Sequence, residues 1–197
     1  MNNHANAITS LSVDSFLDEE VEGFHEPLIL SLKNGNLMDT LRTSLRAEAT
    51  VTYQTSPVAR IVRRDWNIVS AKLFVSALDH DYAKKIRADV SDMTWQMQDV
   101  LDVARTLPIP DLDTSWMRPR ELRLHIVHPL AAQWLRAFTL LDQAYAILIN
   151  AELDERITPE MRWQIIAPAQ MAYMGFKATA MRLPLKSTAE LLEEAGI

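Results

Sequence analysis

The sequence predicts a mainly α-helical protein with one N-terminal β-strand, and two patterns carry that prediction. Residues 45–55 alternate between polar and apolar side chains, the period of a half-buried strand. Beyond residue 56, apolar residues recur every three or four positions in long runs interrupted by prolines, the period of amphipathic helices. The chain has 197 residues, 48% of them hydrophobic. That is enough for a sizeable core and excludes a disordered chain. It has no cysteine, which excludes disulfides and thiolate metal sites and fits a reducing compartment.

In chain order, residues 1–40 read as an acidic, solvated arm. Asp14, Asp18, Glu19, Glu20, Glu22, Glu26 and Asp39 face only Lys33 there, with Phe16, Leu17, Val21 and Phe24 interspersed. Asn34-Gly35-Asn36 closes the arm as a turn. Met1 to Ser10 lacks a basic stretch followed by an apolar run, and Ala144 to Ile149, the most apolar stretch, is too short to span a bilayer. A cytoplasmic protein is therefore expected, with no membrane contact.

In the strand at 45–55, Arg46, Glu48, Thr50, Thr52 and Gln54 point one way, and Leu45, Ala47, Ala49, Val51 and Tyr53 the other. Ser56-Pro57 is a helix start, serine as the cap and proline at the first helical position. A first helix over about 57–64 carries Val58, Ile61 and Val62 beside three arginines. A second, to about Asp79, carries Ile68, Ala71, Leu73, Val75 and Leu78. Periodicity leaves open whether the two are one.

A long helix from about Asp81 to Leu107 buries Ile86, Val90, Met93, Met97, Val100, Leu101 and Ala104, and Pro108 and Pro110 end it. Arg123 to Val127 reads as a short extended piece. Pro129 opens a helix to about Leu153, with Leu130, Trp134, Phe138, Leu141, Tyr145 and Leu148 on one face. Thr158-Pro159-Glu160 opens the last helix, with Trp163, Ile166 and Tyr173 inward. The expected organisation is an arm over 1–40, a strand–helix–helix module over 41–80 and a helical accessory and dimerisation region over 81–197.

The formal net charge of −6 argues at first against nucleic acid. The first forty residues hold all of it, however, and residues 41–72 set Arg42, Arg46, Arg60, Arg63, Arg64 and Lys72 against Glu48 and Asp65 alone. Phosphates respond to such a local patch, because screening limits the reach of charge to about 8 Å.

As the one convincing strand, 45–55 has no partner within the chain, and an unpaired edge is a liability. Pairing with the same strand of a second copy about a two-fold axis removes it. The product, an intersubunit antiparallel β-ribbon, fits the major groove of DNA. Arg46, Glu48, Thr50, Thr52 and Gln54 are then the candidate base readers: arginine for guanine, glutamine for adenine, glutamate for cytosine, threonine for a thymine methyl. Arg42, Arg60, Arg63 and Arg64 are candidate phosphate contacts, and the backbone near Trp66-Asn67 offers N–H groups to another phosphate, adding Asn67. The plainer readings are an ordinary half-exposed strand and a solvated helix face. The basic helix directly after the strand favours the ribbon.

The run Leu45-Arg46-Ala47-Glu48-Ala49-Thr50-Val51-Thr52-Tyr53-Gln54-Thr55, followed by Ala59-Arg60, resembles the N-terminal signature of the AcaB family, regulators encoded on conjugative plasmids and integrating conjugative elements. The later layout is similar too: a helix pair, a long helix, an extended segment ending at His128-Pro129, then two helices. The similarity covers about residues 40–185. It implies an atypical ribbon-helix-helix dimer with an added C-terminal helical region. It also implies binding upstream of promoters and activation of transfer genes, with Arg46, Glu48, Thr50 and Thr52 reading bases. Ser56 departs from the pattern, since some relatives carry a basic residue near the strand end.

Other signals are plain. His125 and His128 would face opposite ways on an extended segment, which is poor for one metal and suits capping or surface roles. Asp79-His80-Asp81 reads as a helix boundary. No nucleophile motif or phosphate-cradling loop is visible, so neither enzymatic activity nor a cofactor is expected. The expected partners are double-stranded DNA, a second copy of the chain and RNA polymerase. The rival reading is a helical interaction or assembly module that uses the strand only to dimerise. The acidic arm reads as a solvated tail; the sharper alternatives are that Phe16, Leu17 and Phe24 dock on a protein partner or that its acids compete with DNA for the basic patch.

Overall fold

The computed structural model of the chain describes residues 26–39, 41, 47–108 and 114–182. A short strand β1 (Leu28–Leu30) and a single helical turn α1 (Asn36–Asp39) precede the strand β2 (Ala47–Tyr53). Then come α2 (Ser56–Ser76), α3 (His80–Arg105), β3 (Arg120–Ile126), α4 (Pro129–Leu153) and α5 (Pro159–Ala180). The mainly helical class agrees with the sequence reading; the single strand does not. Three strands form one sheet in the order β1-β3-β2, with β1 parallel and β2 antiparallel to β3.

The expected lone strand therefore has a partner within the chain. Thr50 stands opposite Arg123 and Val51 opposite Leu122. The reason is β3's own alternation, with Leu122 and Leu124 buried and Arg123 exposed between them. That gives it an apolar face matching that of β2. Part of the expected acidic arm also belongs to the sheet, because Leu28 N–H donates to Pro119 O at 2.7 Å and Leu28–Leu30 run beside Arg120–Leu122. The Asn34-Gly35 turn forms as read, with Asn34 in the left-handed region at φ 56°, which asparagine tolerates. The sheet thus draws on segments from all three regions expected from the sequence.

Residues 56–76 form one continuous helix. Its buried stripe is Val58, Val62, Trp66, Val69 and Leu73, an unbroken three-to-four spacing. That phase leaves Val75 and Leu78, expected inside, 53% and 76% exposed. The cap position falls to Thr55 rather than Ser56, with Pro57 in the first turn. The α3 stripe is the expected one residue for residue, and all six expected α4 residues are buried. On α5, Ile166 and Tyr173 are buried, but Trp163 is 52% exposed and faces solvent beside Arg162.

Aromatic packing joins the helices. Trp66 of α2 stacks on Trp134 of α4 at 4.7 Å between centroids, and Trp134 also meets Phe138, Tyr173 and Phe176. Such pairs contribute about 0.5–1.5 kcal/mol each beyond area burial. Two buried carboxylates reinforce this core, one at the end of the sheet and one between helices. Asp142 of α4 accepts from Gln54 N–H, Thr55 N–H and Thr55 Oγ1 at 2.8, 2.9 and 2.6 Å, so it grips the β2–α2 turn. Asp65 of α2 accepts from Arg64 twice, from Tyr173 Oη at 2.7 Å and from Lys177 Nζ at 2.9 Å.

Burial pushes both carboxyls up. At Asp65 the hydrogen bonds from Arg64, Lys177 and Tyr173 outweigh it and bring the pKa down to about 2. At Asp142 burial prevails over three hydrogen bonds and the charge of Arg120, and the pKa stays raised. Folding lowers the Asp65 value, so its contribution is complete above about pH 4 and is lost as the pH falls towards 2. Folding raises the Asp142 value, so its titration acts oppositely and favours the folded state on the acid side.

Two outcomes are expected in urea unfolding. Asp65→Asn costs about 3 kcal/mol at pH 7 and removes part of the stability loss between about pH 4 and 2; an unchanged acid limb would contradict the network. Asp142→Ala costs about 1–3 kcal/mol by leaving the turn's N–H groups without an acceptor.

Candidate nucleic-acid interface

The base-reading candidates divide by position. Glu48, Thr50 and Thr52 lie on the outer face of β2, all exposed, while Val51 and Tyr53 turn inward to the helices. Gln54 lies past the end of the strand, in the turn, where its backbone N–H is held by Asp142. Arg42 and Arg46 fall outside the described residues.

The pairing register adds residues that sequence reasoning missed. Glu48 stands opposite His125, Thr50 opposite Arg123 and Thr52 opposite Glu121. Because paired residues share a face, β2 and β3 together present hydroxyls, carboxylates, a guanidinium and an imidazole. Glu48 Oε1 lies 3.8 Å from His125 Nδ1, and Arg123 Nε lies 3.7 Å from Glu121 Oε1. Beside this face a cleft of about 530 Å³ opens between β1, α1 and β3, lined by Ile29, Ser31, Met38, Asp39, Arg123 and His125. The signal for β3 was its alternation, but only the register ties Arg123 to Thr50.

The phosphate candidates separate more sharply. Arg60 is exposed on the first turn and a half of α2. Arg63 is exposed, but its Nε donates to Ser31 O at 2.9 Å. Arg64 is engaged with Asp65. Asn67 is 2% exposed, and its Nδ2 donates to Lys33 O at 2.8 Å. Lys33 N–H in turn donates to Arg63 O. Asn67 is therefore a buried strut, and with Arg63 it holds the 31–33 segment against α2. The α2 helix does not begin at residue 66, so no N-terminal N–H groups are exposed there.

A cationic cluster stands where β3 begins and β2 ends. Burial lowers the Arg120 pKa, and the charges of Arg60 and Arg118 lower it further, so the three guanidiniums are close enough to repel. Arg120 Nη1 donates to Arg118 O at 2.8 Å. Among the described residues, the carboxylate acting on Arg120 is Asp142, already committed to the β2–α2 turn. A bound anion would relieve the repulsion. Neither Arg118 nor Arg120 is legible as a site residue in sequence, being about 60 positions from Arg60.

The fold is similar to that of AcaB from uropathogenic E. coli in its crystal structure, with a TM-score of 0.48 and 17% identity, over 76% of this chain and 96% of that one. No protein-family model matches the chain, and no curated protein is similar to it.

His128 behaves as a cap rather than a ligand. Its Nδ1 accepts from Leu130 N–H at 3.1 Å at the start of α4. Burial, and then the charge of Arg87, lower its pKa, which keeps the acceptor form. Asp79 likewise caps α3 through Asp81 N–H and Tyr82 N–H. Among the described residues no His/Cys/Asp/Glu group could hold a metal ion, and no helix is long and apolar enough to cross a membrane.

Stability measurements distinguish struts from free cations. Asn67→Ala is expected to cost about 1–3 kcal/mol, and Arg60→Ala to stay within about 0.5 kcal/mol of the parent. Because folding lowers the His128 pKa, the stability its cap supplies is complete above the ordinary histidine range and declines as the pH falls below it and His128 is protonated. His128→Asn, which caps at any pH, should flatten that dependence in thermal unfolding.

Proposed function

We propose that the chain is a sequence-specific double-stranded DNA-binding transcriptional regulator that acts as a homodimer through β2. One observation carries the reading. An edge strand with a polar outer face, bearing Glu48, Thr50 and Thr52, ends beside the cluster of Arg60, Arg118 and Arg120. In the order β1-β3-β2, one edge of β2 has no partner among the described residues. Two-fold pairing along that edge would place two β2 strands at the centre of a joint sheet.

Strand spacing then limits what can enter the groove. Four strands at about 4.8 Å spacing span roughly 14 Å between outer axes, whereas the major groove is about 12 Å wide. The central β2 pair therefore reads bases, with Thr50 and Thr52 deepest. Arg123 and His125 on the flanking β3 strands face the groove walls, and Arg60, Arg118 and Arg120 meet phosphates. The resemblance of residues 45–55 to the AcaB family adds activation of conjugative-transfer genes to this proposal, with RNA polymerase as a further partner.

A second reading is a helical interaction module without DNA affinity. The apolar residues Met161, Trp163, Met171 and Met174 exposed on α5 favour it, since such residues are enriched at protein interfaces.

A gel-shift with competitor DNA at two salt concentrations tests the proposal. Arg60→Ala should weaken binding to all sequences alike and flatten the salt slope by about 1. Thr50→Ala should change preference among sequences by about 1–3 kcal/mol at the contacted base. A folded dimer that shifts no DNA would overturn the proposal in favour of the interaction module.

A further inference from the structure

On the side of α3 that faces α4, a groove of about 500 Å³ is lined by Arg87, Ser91, Trp95 and Gln98 of α3, and by Gln133 and Arg136 of α4. Its chemistry sets it apart from the rest of α3. Asp89 and Asp92 line a different groove, against α5, and no carboxylate lines this one. Arg87 and Arg136 are both exposed. Trp95 is 73% exposed, and no ring of the described residues stacks on it. An indole left so open is uncommon, because tryptophan is highly buried on average.

The spacing is that of one built face. Arg87, Ser91, Trp95 and Gln98 recur at three- and four-residue steps, so they share a stripe of α3. Arg87 and Trp95 lie eight residues apart, about 12 Å along the axis. A planar ring can lie on the indole while a phosphate group is forked by a guanidinium. Gln98 Nε2 already donates to Asp102 Oδ1 at 2.9 Å, which leaves the Gln98 carbonyl oxygen and the Gln133 amide to fix orientation. The volume falls within the range of small-molecule sites, roughly 300–1,000 Å³.

We infer that this groove binds a small aromatic anion of the nucleotide class, a planar base carrying phosphate. The site lies within one copy of the chain and involves neither β2 nor the Arg60 cluster, so it stands apart from the DNA-binding proposal.

The test is equilibrium dialysis of the full chain against AMP and ATP without metal, with adenosine and inorganic pyrophosphate as half-ligands. Both nucleotides should bind saturably and more tightly than either half-ligand. Trp95→Ala and Arg136→Ala should each weaken nucleotide binding by about tenfold or more. Trp95→Phe keeps a stacking ring, so it should bind within a few-fold of the parent while losing the quenching of tryptophan fluorescence that nucleotide causes in the parent. Circular dichroism melts establish that each variant is folded. Nucleotide binding no tighter than pyrophosphate alone would overturn the inference, as would Trp95→Ala and Arg136→Ala variants that bind like the parent.

Discussion

Asp65 is a carboxylate taken almost entirely out of water in the middle of α2, and the rest of the structure is arranged around making that tolerable. An unpaired buried charge would cost several kcal/mol. Here Arg64 of the same helix and Tyr173 and Lys177 of α5 converge on it. Satisfying Asp65 fixes where α5 crosses α2, and that crossing brings Tyr173 to the stacked Trp66 and Trp134. The polar network supplies the geometry and the surrounding aromatic cluster most of the burial.

With α2 held, its N-terminal end and its middle position the sheet. Trp66 Nε1 donates to His125 O, joining α2 to β3. Asp142 clamps the β2–α2 turn from α4. Arg63 and Asn67 bind the backbone of residues 31–33 and so set β1. The candidate interface is thus carried by a sheet anchored at several points to a rigid helical core. Such anchoring is what a groove-reading surface needs to hold its side chains in register.

Much of the helical architecture was legible because each helix contains its own periodic signal. The α3 stripe from Ile86 to Ala104 and the α4 stripe from Leu130 to Leu148 are buried as read. The errors have local causes. Val75 and Leu78 were counted in the inner stripe, although the unbroken phase of α2 from Val58 to Leu73 leaves both exposed. Trp163 was read inward on the face of Ile166 and Tyr173, although it lies on the solvent side of α5. At the candidate site, Glu48, Thr50 and Thr52 were legible from alternation. Asn67 was misread because its role depends on the Lys33 carbonyl, which no local pattern predicts.

By itself, the sequence determined the helical class, the faces of α3 and α4, the outward placement of Glu48, Thr50 and Thr52 on β2 and the helix boundaries near Asp79, His128 and Thr158, because these depend on residues within a few positions of each other. Only the tertiary structure decided that β2 pairs with β3, that β1 is part of the sheet and that Arg118 and Arg120 stand beside Arg60. Those facts join segments separated by about 60 to 90 residues. Strand partners are chosen by matching faces and by the closure of the core, which local periodicity does not encode.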